Sequence, residues 1–168
     1  MLWRSHFLAG ASLGVWLAAG SKPETLALVA GVAGAAALLP DIDSPRSYIG
    51  SRVPASVGVK LVAGHRGVFH SLLAAAVFGL ALFLYLRFRA GAYTFLALPF
   101  AAGYVSHLLL DALTPEGVPF LWPLKLRFGF PLVGTGGFIE RWVVIPALLV
   151  LFCFLLYRAG YSNLLVGK

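Results

Sequence analysis

Charged residues are scarce in this sequence. Asp, Glu, Lys and Arg make up 11% of the 168 residues, while 60% of the residues are hydrophobic. So little polar surface cannot cover the outside of a soluble domain, which excludes an ordinary water-soluble fold. The one cysteine, Cys153, excludes an internal disulfide, and its place in the last apolar run, far from every histidine, disfavours a cysteine hydrolase.

Apolar runs recur along the chain and approach or reach the length of a membrane-crossing helix, about 17–25 residues. No convincing cleavage site follows the first run, so we interpret it as a helix and not as a signal peptide. The predicted fold is all-α, a polytopic membrane helix bundle of about five transmembrane or membrane-embedded helices, in one domain over residues 1–168. The predicted spans are Phe7–Ala19, Thr25–Leu39, Val68–Tyr85, Tyr93–Leu113 and Trp142–Tyr157.

Two interfacial loops are expected between the spans. The first, Pro40–Gly67, is rich in Gly, Pro and Ser and is predicted to contain a short interfacial helix around Ser56–Ala63. The second, Thr114–Arg141, is rich in Pro and aromatic residues, which suits a segment in the lipid headgroup layer.

The basic residues are divided unequally between the two faces. One face collects Arg4, Arg46, Arg52, Lys60, Arg66, Lys125, Arg127 and Arg141; the other collects Lys22, Arg87, Arg89, Arg158 and Lys168. This bias predicts a cytoplasmic N-terminus in a multi-pass inner-membrane protein. Topology and anionic lipid also explain the net charge of +7, so no direct nucleic-acid binding is expected.

All histidines and aspartates fall on the face that carries the N-terminus in this arrangement, together with Glu140. Helices that alternate in direction bring residues from distant parts of the sequence into one layer. Ionisable groups at membrane depth are costly and persist mainly when they are paired, hydrated or bound to metal. The convergence therefore indicates a metal site, with candidates His6, Asp41, Asp43, His65, His70, His107, Asp111 and Glu140.

Local spacing supports this interpretation unequally. His107 and Asp111 are four residues apart and share one face of a helix, as metal ligands or as a structural hydrogen bond. Asp41 and Asp43 follow Pro40 at a helix end, where a solvated acidic turn is the alternative. His65 and His70 flank a turn, so one of them must precede the helix. The guanidinium of Arg66 is a candidate donor of two parallel hydrogen bonds to a substrate phosphate; alternatively, the side chain extends to the membrane surface.

These motifs resemble the membrane-bound metal-dependent hydrolase family, also described as LexA-binding, inner-membrane-associated hydrolases. The resemblance covers residues 5 to about 123 and implies a bacterial or archaeal inner-membrane protein with hydrolase activity. The last span matches only as an apolar segment preceded by an acid. The matching residues are Ser5-His6 with Gly10, Leu39-Pro40-Asp41-Ile42-Asp43-Ser44-Pro45, Gly64-His65-Arg66-Gly67 with His70-Ser71, Gly103 to His107 with Asp111, Thr114 to Val118, and Leu121-Trp122-Pro123.

A looser similarity links the order His, Asp, His, His-x-x-x-Asp to zinc-dependent phospholipase C. Those enzymes are soluble and have further ligands downstream, whereas no histidine follows His107 here. Glu140 is the only residue late in the sequence that could take the place of such a downstream ligand.

From the residues, imidazole and carboxylate without thiolate suit one or two divalent ions, with zinc the first choice and manganese or iron as alternatives. The predicted ligands are His6, Asp43, His65, His70, His107 and Asp111. Asp41 or Glu140 completes the shell or acts as general base, and Ser71 and Ser106 orient His70 and His107.

The predicted function is hydrolysis of a phosphoester of a lipid or lipid-linked substrate by a metal-activated water. The alternatives are a non-enzymatic metal or haem carrier, a sensor or a transporter, and a structural anchor with polar helix caps. A transporter would more naturally place its ionisable residues near mid-membrane and often contains a repeat, neither of which the sequence indicates.

Overall fold

The structure, a computed structural model, describes residues 1–45, 47–53, 56, 67–124 and 126–166, with side chains up to residue 160. These residues contain five α-helices and, beyond a single β-bridge between Val118 and Phe128, no β-structure. The all-α prediction is confirmed. The helices are α1 (Trp3–Leu17), α2 (Pro23–Ala36), α3 (Leu72–Arg89), α4 (Ala97–Ala112) and α5 (Ile145–Val166).

Short helical segments extend three of these helices. A 3₁₀ segment, Leu39–Asp43, continues α2, and another, Gly91–Leu96, precedes α4, while the π-helical segment Glu140–Val144 leads into α5. The third predicted span was placed four residues too early, because Val68–His70 is a separate 3₁₀ turn. The Ser71 hydroxyl then accepts a hydrogen bond from the Ala74 amide and starts α3. The helix predicted at Ser56–Ala63 lies outside the described residues except for Ser56.

Four segments of the described chain are long and apolar enough to cross a membrane: Pro23–Asp43, Leu72–Arg89, Gly91–Ala112 and Glu140–Gly160. The first predicted span, Phe7–Ala19, is a helix too, and α1 begins one turn earlier and has 15 residues. At 1.5 Å per residue it reaches about 22 Å, which is less than the roughly 30 Å of hydrocarbon. We therefore describe α1 as membrane-embedded, packed against α2, α4 and α5.

Small residues bring α1, α2 and α4 together. A Cβ added at Gly10 of α1 would lie 2.6 Å from the Ala33 carbonyl oxygen of α2, and one added at Gly103 of α4 would overlap that same oxygen. Such close approach of backbones is typical of small residues at membrane helix interfaces. The contact fixes the height of α4 relative to α2, one turn before each helix reaches the polar face.

The loop after α4 covers the end of that helix. The Phe130 amide donates to the Ala112 carbonyl at 2.7 Å, and the Val133 amide donates to the Leu113 carbonyl at 3.0 Å. These bonds satisfy carbonyls that a helix end leaves without partners. By contrast, the outer faces of α3 and α5 are left largely uncovered by the rest of the chain.

Candidate metal centre

Three histidines and two aspartates meet in the polar layer where α1 and α3 begin and where α2 and α4 end. His6, His70, His107 and Asp43 have no exposed surface, and Asp111 has 1%. Burial of so many polar groups is costly unless they are paired or bound. Two further predicted residues of this layer, His65 and Arg66, lie outside the described residues.

His107 is oriented by the end of α2. Its Nδ1 lies 2.8 Å from the carbonyl oxygen of Ala37. A carbonyl only accepts hydrogen bonds, so Nδ1 carries the proton, and in the neutral tautomer that this selects, the lone pair is on Nε2. That lone pair faces the centre of the cluster, 3.5 Å from Oδ2 of Asp111.

His70 is oriented in the same way by a carboxylate. Its Nδ1 lies 3.1 Å from Oδ2 of Asp43, an imidazole–carboxylate pair typical of histidines that bind metal through the other nitrogen. His70 precedes the membrane-spanning helix α3, and burial lowers the pKa of its imidazole from the ordinary value of 6.5. The neutral ring keeps a lone pair on Nε2 near neutral pH.

His6 stacks on His107 and contacts the same carboxylate. The ring centroids are 3.7 Å apart with an interplanar angle of 16°, and Nε2 of His6 lies 3.3 Å from Oδ1 of Asp111. Both ring nitrogens are buried and make no well-aligned hydrogen bond within the described residues. A buried imidazole without such a bond is unfavourable, and a bound cation would satisfy it. The Met1 amino group is a further cation here, in a buried ion pair with Oδ1 of Asp111.

The arrangement of the donors fits a divalent metal. Nε2 of His70 and Nε2 of His107 are 3.3 Å apart, and with both Nδ1 protons engaged their lone pairs repel unless a cation lies nearby. Two nitrogens at about 2.05 Å from a tetrahedral zinc ion would be separated by about 3.3 Å. Two overlapping sets offer ligand atoms within 4.8 Å of one another: His6, Asp41 and His107, and His70, His107 and Asp111.

Asp41 connects this cluster to the outside. Its side chain is 18% exposed, with Oδ1 3.9 Å from Nε2 of His70. Asp41 and Asp111 line a cavity of about 330 Å³. Trp3 and Tyr48 also line this cavity, their rings stack at 4.5 Å, and the Arg52 guanidinium lies over the Tyr48 ring at 3.8 Å. Two carboxylates of the cluster therefore face the cavity, whereas His6, His70 and His107 do not line it.

The two aspartates of the Pro40 turn have different environments. Asp43 was predicted as a ligand, but its carboxylate pairs with Nδ1 of His70, the ring nitrogen that points away from His107. Asp41, by contrast, belongs to a set of possible ligands. The 3₁₀ geometry of Leu39–Asp43 separates their directions, although they are two residues apart.

Glu140 is placed away from the imidazoles. Its Oε1 accepts hydrogen bonds from the Leu2 amide at 2.5 Å and the Ser5 hydroxyl at 2.7 Å, and its Oε2 accepts one from the Gly136 amide at 2.6 Å. The structure does not bring this carboxylate into either set of possible ligands. It joins the start of α1 to the segment before α5.

The two serines predicted to orient the histidines bond to backbone instead. Ser71 donates to the Val68 carbonyl at 2.5 Å, and Ser106 donates to the Gly103 carbonyl at 2.7 Å. Sequence reasoning missed Tyr104, which is fully buried and donates to the Phe69 carbonyl at 2.6 Å, beside His70. The spacing of Tyr104, His107 and Asp111 on one helix face is the signal that could have identified it.

The residues Gly10-Ala11-Ser12-Leu13-Gly14 have the Gly-x-Ser-x-Gly spacing of a serine hydrolase. That motif requires a sharp turn between strand and helix, whereas Ser12 is buried in the middle of α1. The local structure does not expose a serine nucleophile.

Comparison with known proteins places the chain in a family. The model of the YdjM inner membrane protein family matches residues 1–164. This chain belongs to the YdjM inner membrane protein family. Together with the four candidate spans, membership indicates a multi-pass inner-membrane protein.

Individual relatives agree with this assignment. The Inner membrane protein YdjM of Escherichia coli and that of Shigella flexneri are each 43% identical to this YdjM-family chain over 115 residues, 63% of the chain and 56% of the relative. The chain thus spans little more than half of these two proteins. The Uncharacterized protein YvsG of Bacillus subtilis is 33% identical over 139 residues, 82% of the chain and 83% of the relative. No solved structure matches the chain.

Proposed function

We propose that this protein is a membrane-bound, metal-dependent hydrolase that cleaves a phosphoester of a lipid or lipid-linked substrate. The observation that carries the proposal is the meeting of His6, His70, His107 and Asp111 in one buried layer beside an open cavity. The resemblance of the motifs to metal-dependent hydrolases supports it.

One or two divalent cations, with zinc as the first choice, would be held by His6, His70, His107 and Asp111. When bound, such an ion supplies Lewis acidity that polarises a phosphoryl oxygen and acidifies water. The Ala37 carbonyl and the Asp43 carboxylate keep His107 and His70 in the tautomer that can coordinate.

Asp41 is the best-placed general base, since its carboxylate is both partly exposed and within the cluster. In the proposed hydrolysis of a phosphodiester, the oxygen of water bonds to phosphorus and one ester P–O bond breaks. Asp41 accepts a proton from the water and returns it to the leaving alkoxide, so the products are a phosphomonoester and an alcohol. Glu140, the other predicted base, has both oxygens engaged by hydrogen bonds.

The test combines elemental analysis of purified protein with assays on phosphodiester and phospholipid substrates before and after chelation. We expect about one to two metal ions per chain and loss of turnover on chelation. His107→Ala should lose metal and turnover together, while Cys153→Ser, a change on the exposed side of α5, should lose neither. Full metal content in His107→Ala, or unchanged turnover after chelation, would refute the proposal. Stoichiometric metal without hydrolysis on a broad panel would favour the carrier or sensor alternative.

We also propose that the metal face is cytoplasmic, on the basis of the eight basic residues that the sequence predicts on that face against five on the other. In a Cys153→Ser background, single cysteines at Ser51 and Ala92 report the two faces, because both positions are exposed. A membrane-impermeant maleimide added to spheroplasts should label Ala92→Cys and spare Ser51→Cys. The reverse pattern would invert the orientation.

A further inference from the structure

A second cavity opens at the same face, between the start of α1 and the start of α5. Its volume is about 420 Å³, and Leu2, Trp3, Arg4, Arg141 and Ile145 line it. Two arginines thus line one cavity, and its other lining residues are apolar. The Arg4 guanidinium also lies 5.6 Å from the centre of the Trp3 ring, a cation–π distance.

Nothing in the described chain neutralises these two arginines. Neither Arg4 nor Arg141 forms an ion pair with a described carboxylate, and both are exposed. The nearest acid in sequence, Glu140, is fully buried and spends both oxygens on other donors. Two adjacent cations without a counter-charge favour an anionic ligand.

The surroundings of the cavity specify the rest of that ligand. Phe138 and Trp142, which flank Arg141 in the sequence, are 75% and 70% exposed, although neither lines the cavity itself. Aromatic residues in such positions lie at the boundary between headgroups and acyl chains. An occupant of this cavity would therefore present a negative charge to the arginines and hydrocarbon to Leu2, Trp3 and Ile145.

We propose that Arg4 and Arg141 bind the phosphate of an anionic phospholipid, with Leu2, Trp3 and Ile145 contacting its glycerol backbone and first acyl carbons. Arginine suits this role because its planar fork donates two parallel hydrogen bonds to one phosphate. The lipid enters laterally, between α1 and α5.

The site also deepens the proposed function. Leu2 and Trp3 line this cavity and the cavity that reaches Asp41 and Asp111, so the two share a wall. A lipid held by Arg4 and Arg141 is thus positioned next to the candidate metal centre. Its role as substrate rests on the proposed hydrolase activity, whereas the binding itself does not.

The experiment measures binding of phosphatidylglycerol to the purified full chain in detergent by native mass spectrometry. The Arg4→Gln, Arg141→Gln double variant should weaken binding about tenfold or more, since two charge-assisted contacts are lost. The matched control is the double variant Arg87→Gln, Arg89→Gln, which removes the same charge from the last turn of α3. Its affinity for phosphatidylglycerol should stay within about twofold of the wild-type value. Both variants should keep the metal content of the wild type.

If the two double variants lose lipid affinity equally, the effect is a general attraction of anionic lipid to a basic surface, and the proposed site is wrong. Unchanged binding in Arg4→Gln, Arg141→Gln would also overturn it. Displacement of the lipid by equimolar inorganic phosphate would assign the cavity to a free anion instead. His107→Ala should still bind phosphatidylglycerol, because His107 does not line this cavity. The lipid-binding proposal can therefore fail while the hydrolase proposal stands, and the hydrolase proposal can fail while lipid binding is observed.

Discussion

Nδ1 of His70 lies 3.1 Å from Oδ2 of Asp43, a residue 27 positions earlier in the chain. Both side chains are fully buried, so this bond is protected from water. It turns Nε2 of His70 toward His107 and makes the imidazole a better electron donor. Asp43 acts on the candidate metal centre through His70.

Replacing Asp43 by Asn tests this relationship. The change keeps the size of the side chain but removes the charge that favours a proton on Nδ1, so metal affinity should fall about 10–100-fold. Competition with a metal chelator of known affinity measures the change. Glu24→Gln, in the exposed first turn of α2, is the matched control and should bind like the wild type. Wild-type affinity in Asp43→Asn would show that the bond is dispensable.

Glu140→Gln should weaken the fold more than the metal site. A glutamine has one acceptor oxygen in place of two, so a donor among Leu2, Ser5 and Gly136 loses its partner in a buried position. The expected loss is about 1–3 kcal/mol in the free energy of unfolding. Denaturation in detergent measures it, with metal affinity determined on the folded fraction. A variant of full stability that binds no metal would identify Glu140 as a ligand after all.

Gly103→Ala should disturb the contact between α2 and α4. The added methyl group would overlap the Ala33 carbonyl, one turn before His107 meets the Ala37 carbonyl. Overpacking of this kind costs about 1–3 kcal/mol, and the metal content should fall with it because His107 moves. Gly31→Ala places its methyl in open space and serves as the control. Thermal unfolding of both variants decides the matter, and equal midpoints would contradict the packing argument.

Acid should release the metal and weaken the apo fold. Burial lowers the pKa of His70 below 6.5 in the folded protein, so the unfolded chain binds the proton more readily. Stability from this group is therefore present above pH 6.5 and declines as the pH falls below it. Protons also compete directly with metal for the imidazoles. Metal content after dialysis at a series of pH values should be constant near neutrality and fall in acid; a loss on raising the pH would contradict this sign.

The face that carries the site could be predicted because it follows from counting spans. Once helices alternate in direction, His6, Asp41, His70 and His107 must share a layer, and the structure brings them together. The ends of α1 could not be inferred from its apolar run, since hydropathy marks neither Trp3, where the helix begins, nor Leu17, where it gives way to a turn. Nor does hydropathy separate a 3₁₀ turn such as Val68–His70 from the helix that follows it.

The partners of the site residues were harder to predict because several of them are backbone groups. The Ala37 carbonyl that orients His107, and the Leu2 and Gly136 amides that occupy Glu140, carry no signature in the side-chain sequence. Asp41 and Asp43 look equivalent in sequence, and only the local turn decides which one faces the cavity. Sequence patterns therefore locate such a cluster more reliably than they assign the task of each member.

The bond between Ser5 and Glu140 joins residues 135 positions apart. During synthesis the first turn of α1 leaves the ribosome long before its carboxylate partner exists. The turn that contains His6 thus acquires its final anchor only when the segment before α5 has been translated and α5 can enter the bilayer. Assembly of the polar layer is in this way coupled to completion of membrane insertion, and a nascent chain halted before Glu140 would display its histidines without a finished centre.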